Sequence, residues 1–156
     1  MQALNLPDHG VKTKQDADGA RIFDPVRRRW VALTPEEWVR QHVLNYLVHQ
    51  AGCPLSLLAV ERKLVVNRMT RRADVVVHDR QGRPVLLVEC KAPEVKVDQG
   101  TFEQAARYNT VFKVPYLMVT NGLVHFICRV DHVGGMVQFL KTLPDYEELC
   151  ATAGGH

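Results

Sequence analysis

Two carboxylates and a lysine are placed for shared chemistry within residues 74–91, which read DVVVHDRQGRPVLLVECK. Apolar runs flank a central turn signal, so the segment predicts a β-hairpin. If Gln81-Gly82 is the centre of a symmetric turn, paired residue numbers sum to 163, and 74 + 89 = 163 places Asp74 opposite Glu89. Opposed side chains project from one face with Cβ atoms about 4.5–5.5 Å apart. Strand alternation adds Lys91 to that face.

Two opposed negative charges are unfavourable in a sheet unless something compensates them, and a divalent cation would do so. A simpler interpretation is that Asp74 and Glu89 end their strands in solvent, with Lys91 as a surface ion-pair partner. An E-x-K triplet alone is weak evidence. However, both strands are apolar on both faces, which is typical of central strands covered on both sides. Charged residues at the ends of such strands need partners or a ligand, which favours a metal site.

Composition indicates an ordinary globular protein with one domain. The chain has 156 residues, 46% hydrophobic and 24% charged, with a net charge of +3. This mildly basic balance permits nucleic acid as a partner without demanding it. The four cysteines are scattered without zinc spacing, so we expect small core residues in a reducing compartment. We see no signal peptide and no run of about 20 apolar residues, and we therefore expect a cytoplasmic protein without membrane contact.

The elements that must position the three charged residues follow from periodicity and capping signals. We expect residues 1–21 to form an arm or a short edge element, and residues 22–156 to form a single domain. Thr34 is a predicted helix cap, with proline at the first helical position and Glu37 completing a capping box. Asn121-Gly122 predicts a two-residue turn. The expected elements are a hairpin over 22–33, helices over 34–50, 98–111 and 144–151, and strands over 57–66, 75–77, 85–88, 114–120 and 123–130. This order favours an α/β (α+β) fold with a central mixed sheet flanked by helices.

The second predicted helix carries a polar pair, because Gln104 and Tyr108 are four residues apart and share a face. Gln104 could instead complete a capping box if Thr101 is the cap, whereas a cap at Asp98 would move it into the helix body. Tyr108 could simply belong to the core. Both interpretations stay open on spacing alone.

Taken together, these features resemble the PD-(D/E)XK nuclease superfamily, whose motif is an Asp followed on the next strand by (D/E)-x-K. A Q-x-x-x-Y helix is typical of a large branch of that superfamily. More narrowly, the chain resembles the N-terminal nuclease domain of type I restriction enzyme R subunits. The matching stretches are IFDPVRRRW, LTPEEWVRQH, RRADVVVHD, VLLVECKAPEV and FEQAARYN. The resemblance implies a restriction-endonuclease-like core.

The resemblance also implies roles for individual residues. Asp74 and Glu89 would ligate Mg²⁺, or Mn²⁺ in its place, together with the backbone carbonyl of Cys90. Lys91 would orient or help deprotonate the attacking water. Glu37 matches a glutamate that relatives often add to the metal site from the first helix. Gln104 and Tyr108 would bind near the scissile phosphate or support the lysine.

Basic residues flank the predicted site, and Arg71 and Arg72 are the best candidates for phosphate contacts because they immediately precede Asp74. Arg68 is a third candidate. Such clusters can neutralise phosphates without reading sequence, although most surface arginines merely solubilise a protein. The sequence contains no motif that predicts sequence-specific recognition of nucleic acid. The partner implied is DNA. A homodimer is left open, since many nucleases of this type cut both strands as dimers.

The leading hypothesis is therefore a metal-dependent DNA hydrolase related to type I restriction-modification. These 156 residues contain no G-x-x-x-x-G-K-[ST] loop, so we expect no ATP-driven motor in them. One alternative is a catalytically weak nucleic-acid-binding or assembly module with the same fold. Another is a hydrolase of a different phosphate ester. The sequence does not distinguish DNA from RNA or endonuclease from exonuclease action.

Overall fold

The computed structural model describes residues 1–154, apart from the side chains of Tyr108 and of residues 152–154. Within that part of the chain, one small sheet precedes a larger sheet, and helices lie between and after the strands. The strands are β1 (Thr13–Asp16), β2 (Gly19–Asp24), β3 (Arg29–Ala32), β4 (Leu58–Val66), β5 (Met69–His78), β6 (Pro84–Cys90), β7 (Tyr116–Thr120), β8 (His125–Asp131) and β9 (Met136–Leu140). The helices are α1 (Pro35–His49), α2 (Gln99–Phe112) and α3 (Tyr146–Gly154), with a short 3-10 turn at Leu55–Leu57.

The larger sheet has the strand order β4-β5-β6-β7-β8-β9. Its neighbours are antiparallel except β6 and β7, which are parallel and connected through α2. Parallel neighbours need such a crossover, because a tight turn can join only antiparallel strands. The predicted α/β fold with a mixed sheet flanked by helices is confirmed.

Apolar side chains cover both faces of this sheet. One core cluster contains Val39 and Val43 of α1 together with Val75 and Val88, and Leu149 of α3 packs there too. The other contains Phe102 and Ala105 of α2 with Val76 and Leu87. The two central strands alternate between these clusters, as their continuous apolar sequences predict.

The predicted pairing of β5 with β6 is confirmed where the strands are buried. Val75 pairs with Val88 and Val77 with Leu86, so the numbers sum to 163 as expected. The turn itself is not symmetric, since a bulge follows Val77. The Asp79 carboxylate accepts the N–H groups of Gln81 and Arg83 and closes the loop. The apolar pattern therefore fixed the register despite an irregular turn.

Capping residues set the start of both long helices. Thr34 Oγ1 accepts the N–H of Glu37 at 3.0 Å at the start of α1, as predicted. Asp98 accepts the N–H of Thr101 at 2.9 Å and caps α2. This resolves the ambiguity at α2, because a cap at Asp98 places Gln104 inside the helix rather than in a capping box.

Two local predictions were wrong or incomplete. Asn121-Gly122 is not a two-residue turn, since the first pair beyond it is Thr120 with His125. The Asn121 side chain accepts the N–H groups of Leu123 and Val124, which stabilises a four-residue loop. Strand β9 was not predicted at all, and its residues are mostly exposed, so it lacks the apolar alternation of a buried strand.

The N-terminal residues include β1, an edge strand of the smaller sheet. Strand β1 pairs with the first half of β2, so the predicted boundary at residue 21 falls inside a strand. Leu4 and Leu6 pack against the core beside α1. In the described residues, none of the helices combines the length and the apolar character needed to cross a membrane.

The end of β5 contains a buried histidine. His78 is 7% exposed, its Nδ1 lies 3.1 Å from the carbonyl oxygen of Leu57, and its own carbonyl accepts the Tyr146 hydroxyl. Burial lowers the pKa of His78, and the charge of Arg62 lowers it further, while the Leu57 carbonyl opposes the shift. The neutral ring is therefore the form that folding favours.

This environment predicts acid sensitivity. Because the folded-state pKa is depressed, the stabilisation is present above the ordinary histidine pKa of about 6.5 and is lost as the pH falls below it. His78→Gln should lose less free energy of unfolding than wild type between about pH 7.5 and 5.5 in urea titrations. His49→Gln, at an exposed position, serves as the control and should follow wild type. Equal losses in wild type and His78→Gln would show that other groups carry the effect.

Candidate active site

The predicted charged residues lie where β5 and β6 separate. Main-chain pairing between the two strands is recorded down to Val75 and Val88. Beyond that pair, a side chain replaces the main-chain partner: Asp74 Oδ2 accepts the N–H of Cys90 at 2.7 Å. A charge-assisted bond of this length is strong. It fixes the position of Asp74 relative to the end of β6.

Strand alternation is interrupted at Asp74. Ala73 packs in the α2 cluster and Val75 in the α1 cluster, although residues two apart in a regular strand share a face. Strand β4 is irregular at the matching position, because Val60 pairs with Val75 and Arg62 with Ala73, while the residue between, Glu61, has φ of 54°. A glutamate in the left-handed region is uncommon and costs free energy.

This interruption changes the expected arrangement of the two carboxylates. Regular alternation predicted that Asp74 and Glu89 project from one face. In the structure, the cation nearest Asp74 is Arg40 of α1, whereas Glu89 contacts Arg71 and Lys91 beside α2. The two carboxylates therefore have different ion-pair partners. The two carboxylates still interact, since the charge of Glu89 raises the pKa of Asp74.

A polar pocket of about 290 Å³ lies on the α2 side. Glu89 Oε1 is 3.8 Å from Lys91 Nζ and 3.7 Å from an Arg71 guanidinium nitrogen. Arg71 also donates to the carbonyl of Ala105 in α2 at 3.2 Å, which links the strand to the helix. The lining residues are Thr70, Arg71, Arg72, Glu89, Lys91, Thr101, Gln104 and Ala105. The pocket thus combines one carboxylate with three cationic side chains.

Gln104 and Tyr108 have different outcomes. The structure places Gln104 at this pocket together with Glu89 and Lys91. This agrees with its predicted place near the site, although its role stays a prediction. The side chain of Tyr108 lies outside the described part of the structure, so its predicted role is not addressed.

On the α1 side, an arginine lies among four carboxylates. Arg40 is 6% exposed, and its guanidinium nitrogens lie 3.3–3.9 Å from oxygens of Glu36, Glu37, Glu61 and Asp74. These residues come from α1, β4 and β5. Burial is the largest influence on Asp74 and raises the pKa of its carboxyl, while the Cys90 N–H and Arg40 lower it. Arg40 therefore offsets repulsion that would otherwise separate these elements.

Glu37 is committed to neighbouring side chains. Its Oε1 accepts from Arg27 at 2.8 Å, and its Oε2 accepts from Gln41 at 3.0 Å and lies 3.4 Å from Arg40. Its backbone N–H is bound by Thr34, but no bond from its carboxylate back to that cap is recorded among the described residues. The carboxylate therefore supports the packing of α1 rather than presenting a vacant oxygen.

The predicted metal ligands fit a hard cation only as the smaller set that leaves out Glu37. Among the described residues, no three His, Cys, Asp or Glu side chains converge as a metal cluster. Asp74, Glu89 and the Cys90 carbonyl offer oxygen ligands, and Mg²⁺ often uses one or two carboxylates with several waters. Burial raises the pKa of the Cys90 thiol, so only the carbonyl of that residue is a candidate. Glu37 does not fit.

A family model for the type I restriction enzyme R protein N terminus matches residues 35–144. The chain belongs to this family. The match begins at the first residue of α1 and extends beyond β9, so it includes both sides of the site. The family-level expectation from the sequence is therefore confirmed.

Two relatives extend the comparison. The chain is 30% identical over 63 residues to an EcoAI endonuclease subunit of a type I restriction enzyme from Escherichia coli, a span of 40% of this chain and 8% of that protein. A fragment assigned to an HsdR subunit of a type I restriction enzyme from Vibrio vulnificus YJ016 has a TM-score of 0.53 and 24% identity, covering 80% of this chain and 26% of that one. The second match supports the shared fold alone.

The residues that the sequence reasoning missed are Arg40 and Glu61. Spacing gave a partial signal, because Arg40 is three residues after Glu37 and four after Glu36, which are the distances of helical ion pairs. Nothing local connects Arg40 to Glu61 or Asp74. Arg72 lines the pocket, whereas Arg68 is in the turn between β4 and β5, and the DNA contacts expected of both stay predictions.

Removing the buried arginine should weaken the protein strongly. In Arg40→Gln, the carboxylates of α1, β4 and β5 lose their shared counter-ion, and we expect a loss of about 3 kcal/mol in the free energy of unfolding. Chemical denaturation measures it. Glu147→Gln breaks the exposed pair with Arg80 and should change stability by less than about 1 kcal/mol. A change at Arg40 as small as this control would contradict the structural role.

Proposed function

We propose that the chain is a metal-dependent nuclease domain that hydrolyses phosphodiester bonds of DNA. The observation that carries this proposal is the pocket beside α2 where Glu89, Lys91 and Gln104 come together, with Asp74 bound to the adjacent Cys90 N–H. Membership of the R protein N-terminal family supports it. Because this chain spans a small part of the relatives it matches, their complete activities do not transfer with the fold.

The two sides of the site suggest how substrate and cation would approach. Carboxylates dominate the α1 side, where an open groove of about 470 Å³ is lined by residues that include Glu36, Glu61 and Glu94. Cationic side chains dominate the α2 side, where the pocket contains Arg71, Arg72 and Lys91. A phosphate would therefore enter on the α2 side.

The chain's own residues can orient the reactants. Asp74, Glu89 and the Cys90 carbonyl would hold Mg²⁺ or Mn²⁺, which would supply charge neutralisation and water activation when bound. Lys91 is about one-third exposed and lies 3.8 Å from Glu89, so its ammonium can hydrogen-bond water or a phosphate oxygen. Gln104 can donate to a second phosphate oxygen, and Arg72 can neutralise charge at the pocket edge.

Cleavage assays test the proposal directly. Wild type should cut plasmid or single-stranded DNA with Mg²⁺ or Mn²⁺, whereas Asp74→Asn and Lys91→Met should lose activity by at least about a hundredfold. The control Lys141→Gln removes an exposed charge at another edge of the sheet and should cut like wild type. Cutting that survives both site substitutions would reveal a contaminant or a different site. DNA binding without any cutting would favour the alternative of a binding or assembly module.

Calorimetry with Mn²⁺ alone separates the two candidate sets of metal ligands. Glu89→Gln should weaken Mn²⁺ affinity by at least about tenfold, as expected for loss of a ligand. Glu37→Gln should change it little, because that carboxylate already binds Arg27, Arg40 and Gln41. A larger loss of Mn²⁺ affinity in Glu37→Gln than in Glu89→Gln would place Glu37 in the metal site. No heat in wild type would sink the metal-dependent mechanism.

A further inference from the structure

The outer halves of β4 and β5 form a basic ribbon, defined here as residues 62–72. It lies beyond the last recorded pair of β5 with β6, so within the described part of the chain its two strands pair only with each other. The segment contains five positively charged residues and no carboxylate: Arg62, Lys63, Arg68, Arg71 and Arg72. Such an isolated run of positive charge on a strand pair needs an explanation.

One face of the basic ribbon is used for packing. Leu64 is partly buried in the cluster beneath α2, and its cross-strand partner Arg71 bonds to Ala105 and lies near Glu89. Arg71 is thus occupied within the protein. This makes it a structural link between strand and helix, and the phosphate contact that the sequence suggested stays a prediction.

The other face is exposed and carries opposed like charges. Lys63 pairs directly with Arg72, and Val65 with Thr70, and all four residues are exposed. No ion pair to Lys63 or Arg72 is recorded among the described residues. Directly opposed like charges destabilise a strand pair. An external polyanion would remove that cost.

The tip of the basic ribbon also carries a charged residue, and the backbone conformation of that residue costs free energy. Val66 pairs with Met69, so Asn67 and Arg68 form a two-residue turn, with φ of 49° and 67°. Turns of this kind favour glycine at the second position. An arginine there accepts backbone strain and presents its guanidinium at the exposed end.

We propose that the exposed face of the basic ribbon docks duplex DNA through Lys63, Arg72 and Arg68, and thereby guides it to the pocket beside Glu89. This deepens the proposed nuclease function and rests on it. A two-stranded ribbon fits the major groove of B-DNA. Single-strand binders rely on aromatic stacking, and residues 58–78 contain no aromatic Phe, Tyr or Trp. Continuity with the pocket comes from Arg72, which lines it.

Salt-dependent binding to a short labelled DNA duplex tests the docking face, using fluorescence anisotropy in EDTA so that no cutting occurs. Lys63→Gln/Arg72→Gln should reduce the slope of log affinity against log salt by about 2, and Arg68→Gly by about 1. Both variants should fold, because they relieve repulsion or backbone strain. Thermal melting checks this. Arg129→Gln/Lys141→Gln removes the same charge near β8 and β9 and should keep the wild-type slope.

The outcomes separate this proposal from the nuclease proposal. An equal loss in the control pair, or an unchanged slope in the ribbon variants, overturns the docking face. Substitutions that weaken single-stranded DNA or duplex RNA more than duplex DNA overturn it as well. If the ribbon variants lose duplex binding while wild type never cuts, docking stands and the nuclease proposal fails. If wild type cuts, and the ribbon variants bind and cut duplex DNA as well as wild type does, the nuclease proposal stands and the docking face fails.

Discussion

A single buried guanidinium holds the end of the central sheet together. Arg40 lies among carboxylates from α1, β4 and β5, and each of those carboxylates would repel the others without it. Arg27 contributes a second cation to Asp24 and Glu37. Buried ion pairs of this kind seldom add much net stability, but removing one partner is costly. We therefore regard this charge network as a constraint that fixes where α1 sits relative to Asp74.

That constraint separates the charges of the two sides of the sheet. Asp74 is drawn towards α1, while Glu89 stays beside α2 with Lys91 and Arg71. At the point where main-chain pairing ends, the hydrogen bond from the Cys90 N–H holds the Asp74 carboxylate beside the end of β6. For a proposed phosphodiesterase this arrangement is useful, because Glu89, a proposed cation ligand, lies beside the phosphate-binding groups of the α2 side while Asp74 reaches the same strand end from the α1 side.

Several departures from regular geometry lie at this end of the molecule. Glu61 and Arg68 have left-handed backbones, and alternation breaks at Asp74. The buried parts of β5, β6 and β7 follow the ordinary rules for central strands. Strained backbone positions of this kind are often found at functional sites. The exposed charges of Lys63 and Arg72, to which the described residues show no ion pair, lie in the same region.

The sequence by itself determined the local features of this protein. Apolar runs specified the β5–β6 register and Thr34 specified where α1 starts, because these signals act between residues close in the chain or directly paired, whereas the choice between Asp98 and Thr101 as the cap of α2 stayed open. The order of motifs also identified the family. Only the tertiary structure decided that Asp74 turns towards α1, that Glu37 is occupied, and that Arg71 links β5 to α2. Those outcomes depend on charges from separate segments meeting in space, and no periodicity records where a distant guanidinium will lie.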